Sequence, residues 1–206
     1  MTRVKICGIT NLDDALTCLD AGADALGFIF VEGTPRYVTP DQVAAIVRRL
    51  PPFVTPVGIF WDHPAGHVKA VAEACGLRAL QFHGEERAED LTGYALPVIK
   101  TIKVGREADL ARMAPYRGQV AAFLLDSAAR WSEGEPRHPI EWELARQAAG
   151  VGPIVLSAGL TPDTVARAIG IARPYAVDVN SGVETRPGRK DPDKVRRFVA
   201  EARRAG

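Results

Sequence analysis

Residues 3–10 read Arg3-Val4-Lys5-Ile6-Cys7-Gly8-Ile9-Thr10. Val4 and Ile6 alternate with Lys5 and Cys7, the period of a strand whose successive side chains leave on opposite faces. A doubly wound open sheet usually follows its first strand with a glycine-rich dinucleotide fingerprint. Cys7-Gly8-Ile9-Thr10 has no such pattern. The competing architecture is a closed barrel of repeated strand–helix units, and the rest of the chain decides between them.

Short apolar runs alternate with amphipathic stretches as far as the C-terminus. After Arg3 to Cys7 comes a helix over Leu12 to Asp20. Ala23 to Phe30 precedes a helix started near Asp41 by Thr39-Pro40. Val54 to Phe60 precedes Pro64 to Ala74, Arg78 to Phe82 precedes a weaker helical stretch near Glu85 to Leu91, and Pro97 to Ile102 precedes Arg106 to Met113. Val120 to Leu125 leads through a longer loop to a helix over Ile140 to Ala148. Pro153 to Ser157 leads to Thr161-Pro162 and a helix to Ile169. Tyr175 to Val179 leads to Asp191-Pro192 and the last helix. Buried parallel strands read as near-continuous apolar runs, as these do. Eight such units predict a (β/α)8 barrel, compact beside the usual length of about 250 residues. With no linker and no low-complexity stretch, residues 1–206 are expected to form a single domain.

Composition narrows the function. Hydrophobic residues are 47% and charged residues 25% of the 206, a globular balance. A formal net charge of +1 gives no bulk attraction to nucleic acid or to an anionic membrane. No apolar run is long enough to span a bilayer, and no apolar signal core precedes the first strand. A cytoplasmic location is the default expectation. Cys7, Cys18 and Cys75 form no CxxC and no Cys/His cluster, so neither a disulfide framework nor structural zinc is expected.

Polar residues interrupt the strands with a regular parity. Lys5 and Cys7 share one face, Gln81 and His83 another, Asp126 ends the sixth strand, and Asp178 shares a face with Asn180. In a barrel that parity points inward, and these groups gather at the C-terminal strand ends where barrel active sites lie. Each also has a plainer reading. Cys7 could fill the core, as most free cysteines do, and Gln81 and His83 could satisfy each other. Asp126 could cap a following helix. Lys5, deeper than Cys7, reads as the partner of an inward carboxylate. Cys18 and Cys75 fall within helices and read as core.

Two stretches look suited to an anion. Ser157-Ala158-Gly159-Leu160-Thr161-Pro162 follows the seventh strand and Asn180-Ser181-Gly182-Val183-Glu184 the eighth. Loops at these two places commonly bind phosphate in barrels, and Gly159 and Gly182 would let backbone N–H groups approach it. A helix N-terminus nearby would add its partial positive charge. Arg36, beside Pro35 after the second strand, has the planar fork that clamps a carboxylate.

These motifs resemble those of the phosphoribosylanthranilate isomerases of tryptophan biosynthesis. The resemblance is carried in order by Lys5-Ile6-Cys7-Gly8-Ile9-Thr10, Gly27-Phe28-Ile29-Phe30 with Pro35-Arg36, and Gln81-Phe82-His83-Gly84. It continues through Leu124-Leu125-Asp126-Ser127, Val177 to Glu184, Pro187-Gly188 and Lys190-Asp191. It implies a (β/α)8 barrel with no metal and no organic cofactor, acting on a small phosphorylated substrate by an Amadori rearrangement. By that resemblance Asp126 is the general acid and Cys7 the general base. Arg36 would hold the anthranilate carboxylate, and Asp178 the anthranilate amine or a sugar hydroxyl. Gln81 and His83 complete the expected substrate contacts, and Gly159, Ser181 and Gly182 the phosphate contacts. A free thiol near pKa 8.5 is mostly protonated at neutral pH, so the base needs help from its surroundings. The acid, conversely, needs a raised pKa.

The chain departs from the family pattern in three places. Arg130 to Pro139 replaces a more glycine-rich loop, with Trp142 after it where an aromatic is expected; Ala158 stands where glycine is common, and Asn180 where serine is common. Two rival functions remain at this level. A pentulose-phosphate epimerase needs several metal ligands at strand ends, and His83 has no histidine companion there. A silent barrel would bind a phosphorylated ligand without converting it. The apolar tip Pro51-Pro52-Phe53 on the opposite rim could seat a second subunit as a homodimer or tuck into the barrel floor.

Overall fold

The computed structural model describes residues 1–128 and 140–206. The expected loop Arg130 to Pro139 therefore lies outside the described residues. Eight strands close into a barrel in sequence order, each parallel to its neighbours. They are β1 (Arg3–Ile6), β2 (Ala25–Ile29), β3 (Thr55–Phe60), β4 (Ala79–Phe82), β5 (Val98–Val104), β6 (Ala122–Ser127), β7 (Ile154–Leu156) and β8 (Ala176–Val179). Closure is made by β8 against β1, where Lys5 pairs in register with Asp178.

Around the barrel lie α1 (Leu12–Asp20), α2 (Pro40–Val47), α3 (Ala65–Cys75), α4 (Trp142–Ala148), α5 (Val165–Ala172) and α6 (Pro192–Ala205). Their ends follow from local chemistry. Asn11 caps α1 by accepting the Asp14 N–H, and Thr39 and Gln42 form a reciprocal capping box on α2 with Pro40 in its first turn. Gly76 ends α3 with φ +65°, a left-handed conformation that costs glycine nothing in sterics. Arg203 and Arg204 sit in the last turn of α6, where cations oppose the helix dipole.

Strand parity separates two cores. Val4, Ile6, Leu26, Phe28, Phe82, Phe123 and Val177 point outward and are buried against the helices, with Phe198 of α6 fully enclosed among them. Truncating such a phenylalanine to alanine costs about 3–5 kcal/mol. Inside the barrel, Ala122, Leu124, Val155 and Ala176 pack with Ile99 as a separate small plug. Polar groups of the same inward parity lie above it, nearer the C-terminal strand ends.

The structure differs from expectation in four elements. The stretches after β4 and β5 are 3-10 turns, Ala88–Leu91 and Glu107–Tyr116, not α-helices. Leu91 is the one buried side chain in the first and Met113 in the second, too little packing to hold an α-helix. Helix α5 starts at Val165, because Thr161 to Thr164 is taken up by a turn in which the Thr161 N–H donates to Thr164 Oγ1 at 2.9 Å. After β8 a single 3-10 turn, Ser181–Val183, runs into a hairpin of β9 (Glu184–Arg186) and β10 (Arg189–Lys190). Its tip is Pro187-Gly188, with Gly188 at φ +77°, the order that a type II turn demands.

Candidate active site

The sequence-selected side chains converge on the C-terminal rim. Cys7 follows β1 directly and is buried. Its room is provided by Gly27 on the adjacent strand, where a Cβ would lie 2.8 Å from the Cys7 sulfur. One pleat deeper, the Lys5 ammonium sits 2.7 Å from Asp178 Oδ1, both side chains buried. Ser157, at the end of β7, donates to the other Asp178 oxygen at 3.3 Å.

This setting acts on the thiol in opposed directions. Burial pushes Cys7 up from the usual thiol range, Lys5 and Lys190 pull it down, and the Asp178 carboxylate pushes it up; the net result is a raised pKa. For Lys5, burial works against the charge, but Asp178 and Cys7 outweigh it and hold the ammonium above the ordinary lysine value. Cys18, inside α1, is pushed up to about 12 by burial. Cys75 closes α3. Both are core thiols, as expected.

Across the barrel, Asp126 is buried near the end of β6. One of its oxygens accepts the Ser127 N–H at 2.9 Å, and the other lies 3.5 Å from His83 Nε2. Among the described residues the next helix, α4, begins at Trp142 with Glu141 at its N-cap, so Asp126 does not cap it. His83 and Gln81 do not satisfy each other: the Gln81 side-chain oxygen is buried with no hydrogen-bond partner among the described residues. Trp61, just past β3, packs on His83 with ring centroids 5.4 Å apart and carries the Lys103 ammonium 4.8 Å from its ring.

Beside the β8 end lies a cavity of about 60 Å³ lined by Arg36, Asp178, Gly159, Asn180, Ser181 and Gly182, among others. The backbone N–H groups of Gly159, Ser181 and Gly182 donate to no other described residue. Gly182 is sterically required, because a Cβ there would fall 2.0 Å from the Leu160 carbonyl oxygen. Ala158 and Gly159 are both left-handed, at φ +65° and +67°, so a residue with a Cβ occupies the first of the two strained positions.

Arg36 is not a bare guanidinium. Its Nε and Nη2 both donate to Glu184, at distances down to 2.6 Å. Glu184 in turn accepts from the Lys190 ammonium at 3.0 Å. Burial would raise the Glu184 carboxyl, but Arg36 and Lys190 outweigh it and hold the group below the usual carboxylate range. The quoted motif contains Glu184 and Lys190, yet strand parity gave neither a role. Nor did it reveal a further buried pair, Lys100 with Glu86 at 2.7 Å, which braces the loop after β4 through a bond from Lys100 to the Gly84 carbonyl.

A closed parallel barrel with a thiol, a carboxylate and an imidazole at its C-terminal rim, beside a cavity whose backbone N–H groups serve no other described residue, has the layout of a barrel enzyme for phosphorylated compounds. Residues 4–201 match the family model for N-(5'-phosphoribosyl)anthranilate isomerase. A relative of that name from a Geobacter species is 50% identical, covering 99% of both chains. One from Pelobacter propionicus is 48% identical, over 98% of this chain and 96% of the relative. The crystal structure of phosphoribosylanthranilate isomerase from Thermotoga maritima superposes with a TM-score of 0.92 at 41% identity, covering 98% of this chain and 99% of that one. A phosphoribosylanthranilate isomerase crystallised with reduced 1-(o-carboxyphenylamino)-1-deoxyribulose 5-phosphate gives 0.88 at 41% identity, with the same coverage. A further Thermotoga structure, described as monomers generated from the dimeric enzyme, gives 0.87 at 38% identity, again with that coverage. This chain belongs to the phosphoribosylanthranilate isomerase family and is an isomerase of tryptophan biosynthesis.

Proposed function

We propose that residues 1–206 act as one catalytic domain that converts N-(5-phosphoribosyl)anthranilate to 1-(2-carboxyphenylamino)-1-deoxyribulose 5-phosphate by general acid–base catalysis, with no metal or organic cofactor. The observation that carries the assignment of roles is the placement of Cys7 and Asp126 on inward strand ends of β1 and β6, both buried, beside the N–H cavity.

Asp126 gives its proton to the furanose ring oxygen as the C1′–O bond breaks, its electron pair going to that oxygen. The lone pair of the anthranilate nitrogen closes the C1′=N bond of an iminium. The Cys7 thiolate then takes the C2′ proton; the C–H pair becomes the C1′=C2′ bond and the iminium pair returns to nitrogen. The resulting enolamine gains a proton at C1′ and loses its hydroxyl proton to become the ketone, so the sequence is an isomerisation with no net electron transfer. Lys5 favours the thiolate by its charge. Gly159, Ser181 and Gly182 donate their N–H groups to the phosphate. Arg36, held by Glu184, presents the rest of its fork to the anthranilate carboxylate. Asp178 receives the anthranilate amine or a sugar hydroxyl, and Gln81 and His83 line the opposite wall, His83 next to Asp126.

Among the described residues no helix is long and apolar enough to cross a membrane. The reading places the enzyme in the cytoplasm as a homodimer joined at the rim opposite the site. There Phe53, between α2 and β3, is 98% exposed.

Purified protein should consume phosphoribosylanthranilate, followed by the loss of its fluorescence. Cys7→Ala and Asp126→Ala should each lower kcat by about a hundredfold or more. No turnover by the wild type overturns the reading, and a near-normal rate in either variant removes that residue from the mechanism.

A further inference from the structure

Asn180 stands at the first position after β8, lines the cavity of N–H groups, and has one side of its amide already spoken for. The Lys190 ammonium lies 3.1 Å from Asn180 Oδ1 and 3.4 Å from the Asn180 carbonyl. An ammonium only donates, so the amide atom facing it must be the oxygen; this fixes an orientation that an Asn side chain otherwise leaves ambiguous. Gly8 leaves the room that this oxygen occupies, since a Cβ there would come within 2.6 Å of it. Lys190 is itself anchored by Glu184 at 3.0 Å. The Asn180 Nδ2 group is thereby turned away from Lys190, and it donates to no described residue.

We propose that Asn180 Nδ2 is a side-chain donor to the substrate phosphate, added to the backbone N–H groups of Gly159, Ser181 and Gly182, and that Lys190 is the positioning residue that aims it. The inference rests on the phosphate reading of this cavity. Serine, common at this place in the family, is shorter and lacks an amide whose oxygen can be tied down while its nitrogen stays available. The amide supplies a pre-oriented donor at no cost in rotamer freedom on binding, and hydrogen bonds to a charged acceptor are among the stronger ones.

The test compares wild type with Asn180→Ala and Asn180→Ser. Inorganic phosphate is used as a competitive inhibitor, and the binding of the reduced product analogue is measured with and without its phosphate. Loss of the donor should weaken inorganic phosphate and the phosphorylated analogue by about tenfold, the worth of one charge-assisted bond. KM should rise far more than kcat falls. Binding of the dephosphorylated analogue should not change. Lys190→Met should move the same readouts in the same direction. Equal losses for both analogues would mean a general collapse of the loop and overturn the proposal, as would unchanged phosphate affinity in a folded Asn180→Ala. Failure of the wild type to convert phosphoribosylanthranilate would strike the functional reading instead, while binding of the analogue with and without its phosphate still judges Asn180.

Discussion

Lys5 and Asp178 meet across the seam that closes the barrel, in register on β1 and β8, with 2.7 Å between Nζ and Oδ1. The pair lies one pleat below Cys7 and acts on it with both signs of charge. Because burial raises the thiol pKa, the base is mostly protonated at neutral pH. The alkaline rise in kcat/KM is therefore expected above the ordinary thiol range. Asp178→Asn should move the Cys7 titration to lower pH and Lys5→Met to higher pH, read by the rate of iodoacetamide labelling at the Cys7 peptide. Shifts in the same direction for both variants would contradict this electrostatic account.

The Glu184 carboxylate accepts from both Arg36 and Lys190, and its pKa in the folded chain is below the 4.5 of a free glutamate. Its contribution to stability is complete above pH 4.5 and is lost as pH falls through the lower folded value. Glu184→Gln should flatten that part of the stability–pH curve. At neutral pH it should cost about 3–5 kcal/mol, since Lys190 is left buried beside Arg36 without the opposing charge. Urea titrations at several pH values measure both, and an unchanged acid limb would rule out Glu184 as its source.

Ala158 carries a side chain at φ +65°, where an L-residue is strained by about 1–2 kcal/mol. Ala158→Gly should stabilise the protein by about 1 kcal/mol after glycine's greater chain entropy is subtracted. That corresponds to about 2–4 °C in Tm for a chain of this size. Ala158→Val, bulkier and β-branched, should lower it. A lower Tm for the glycine variant would show that the strain is relieved elsewhere.

Phe53 projects from Pro51-Pro52-Phe53 almost wholly into solvent, an apolar tip more costly to leave bare than to cover. Sedimentation should give a dimer mass for the wild type and half that mass for Phe53→Ser. The same mass for both proteins would argue against an interface at this tip.

Much of the molecule was legible from strand parity. Lys5 and Cys7 face inward because Val4 and Ile6 must face the helices, and the same alternation placed Gln81, Asp126 and Asp178 correctly inside. Helix signals worked at Thr39-Pro40 and Asp191-Pro192, where a cap and a proline mark the start, whereas Thr161-Pro162 opens a turn and α5 begins only at Val165. They failed after β4 and β5, where charged sequence gave helical propensity but almost nothing to bury. The Pro187-Gly188 turn was a readable hairpin signal, yet its flanks are too short to show an alternation. Contacts such as Arg36 with Glu184, 148 residues apart, lie beyond any local pattern. Only the closed barrel brings them within reach.

The missing side chain at Gly182 has a consequence for how the barrel can be rebuilt. Its backbone rests against the Leu160 carbonyl so closely that a single methyl would wedge the two loops apart. The last two strand–helix units are therefore welded at their tops into one block. A designer who recombines barrel fragments, or moves the chain termini by permutation, should cut elsewhere and carry residues 154–183 across intact.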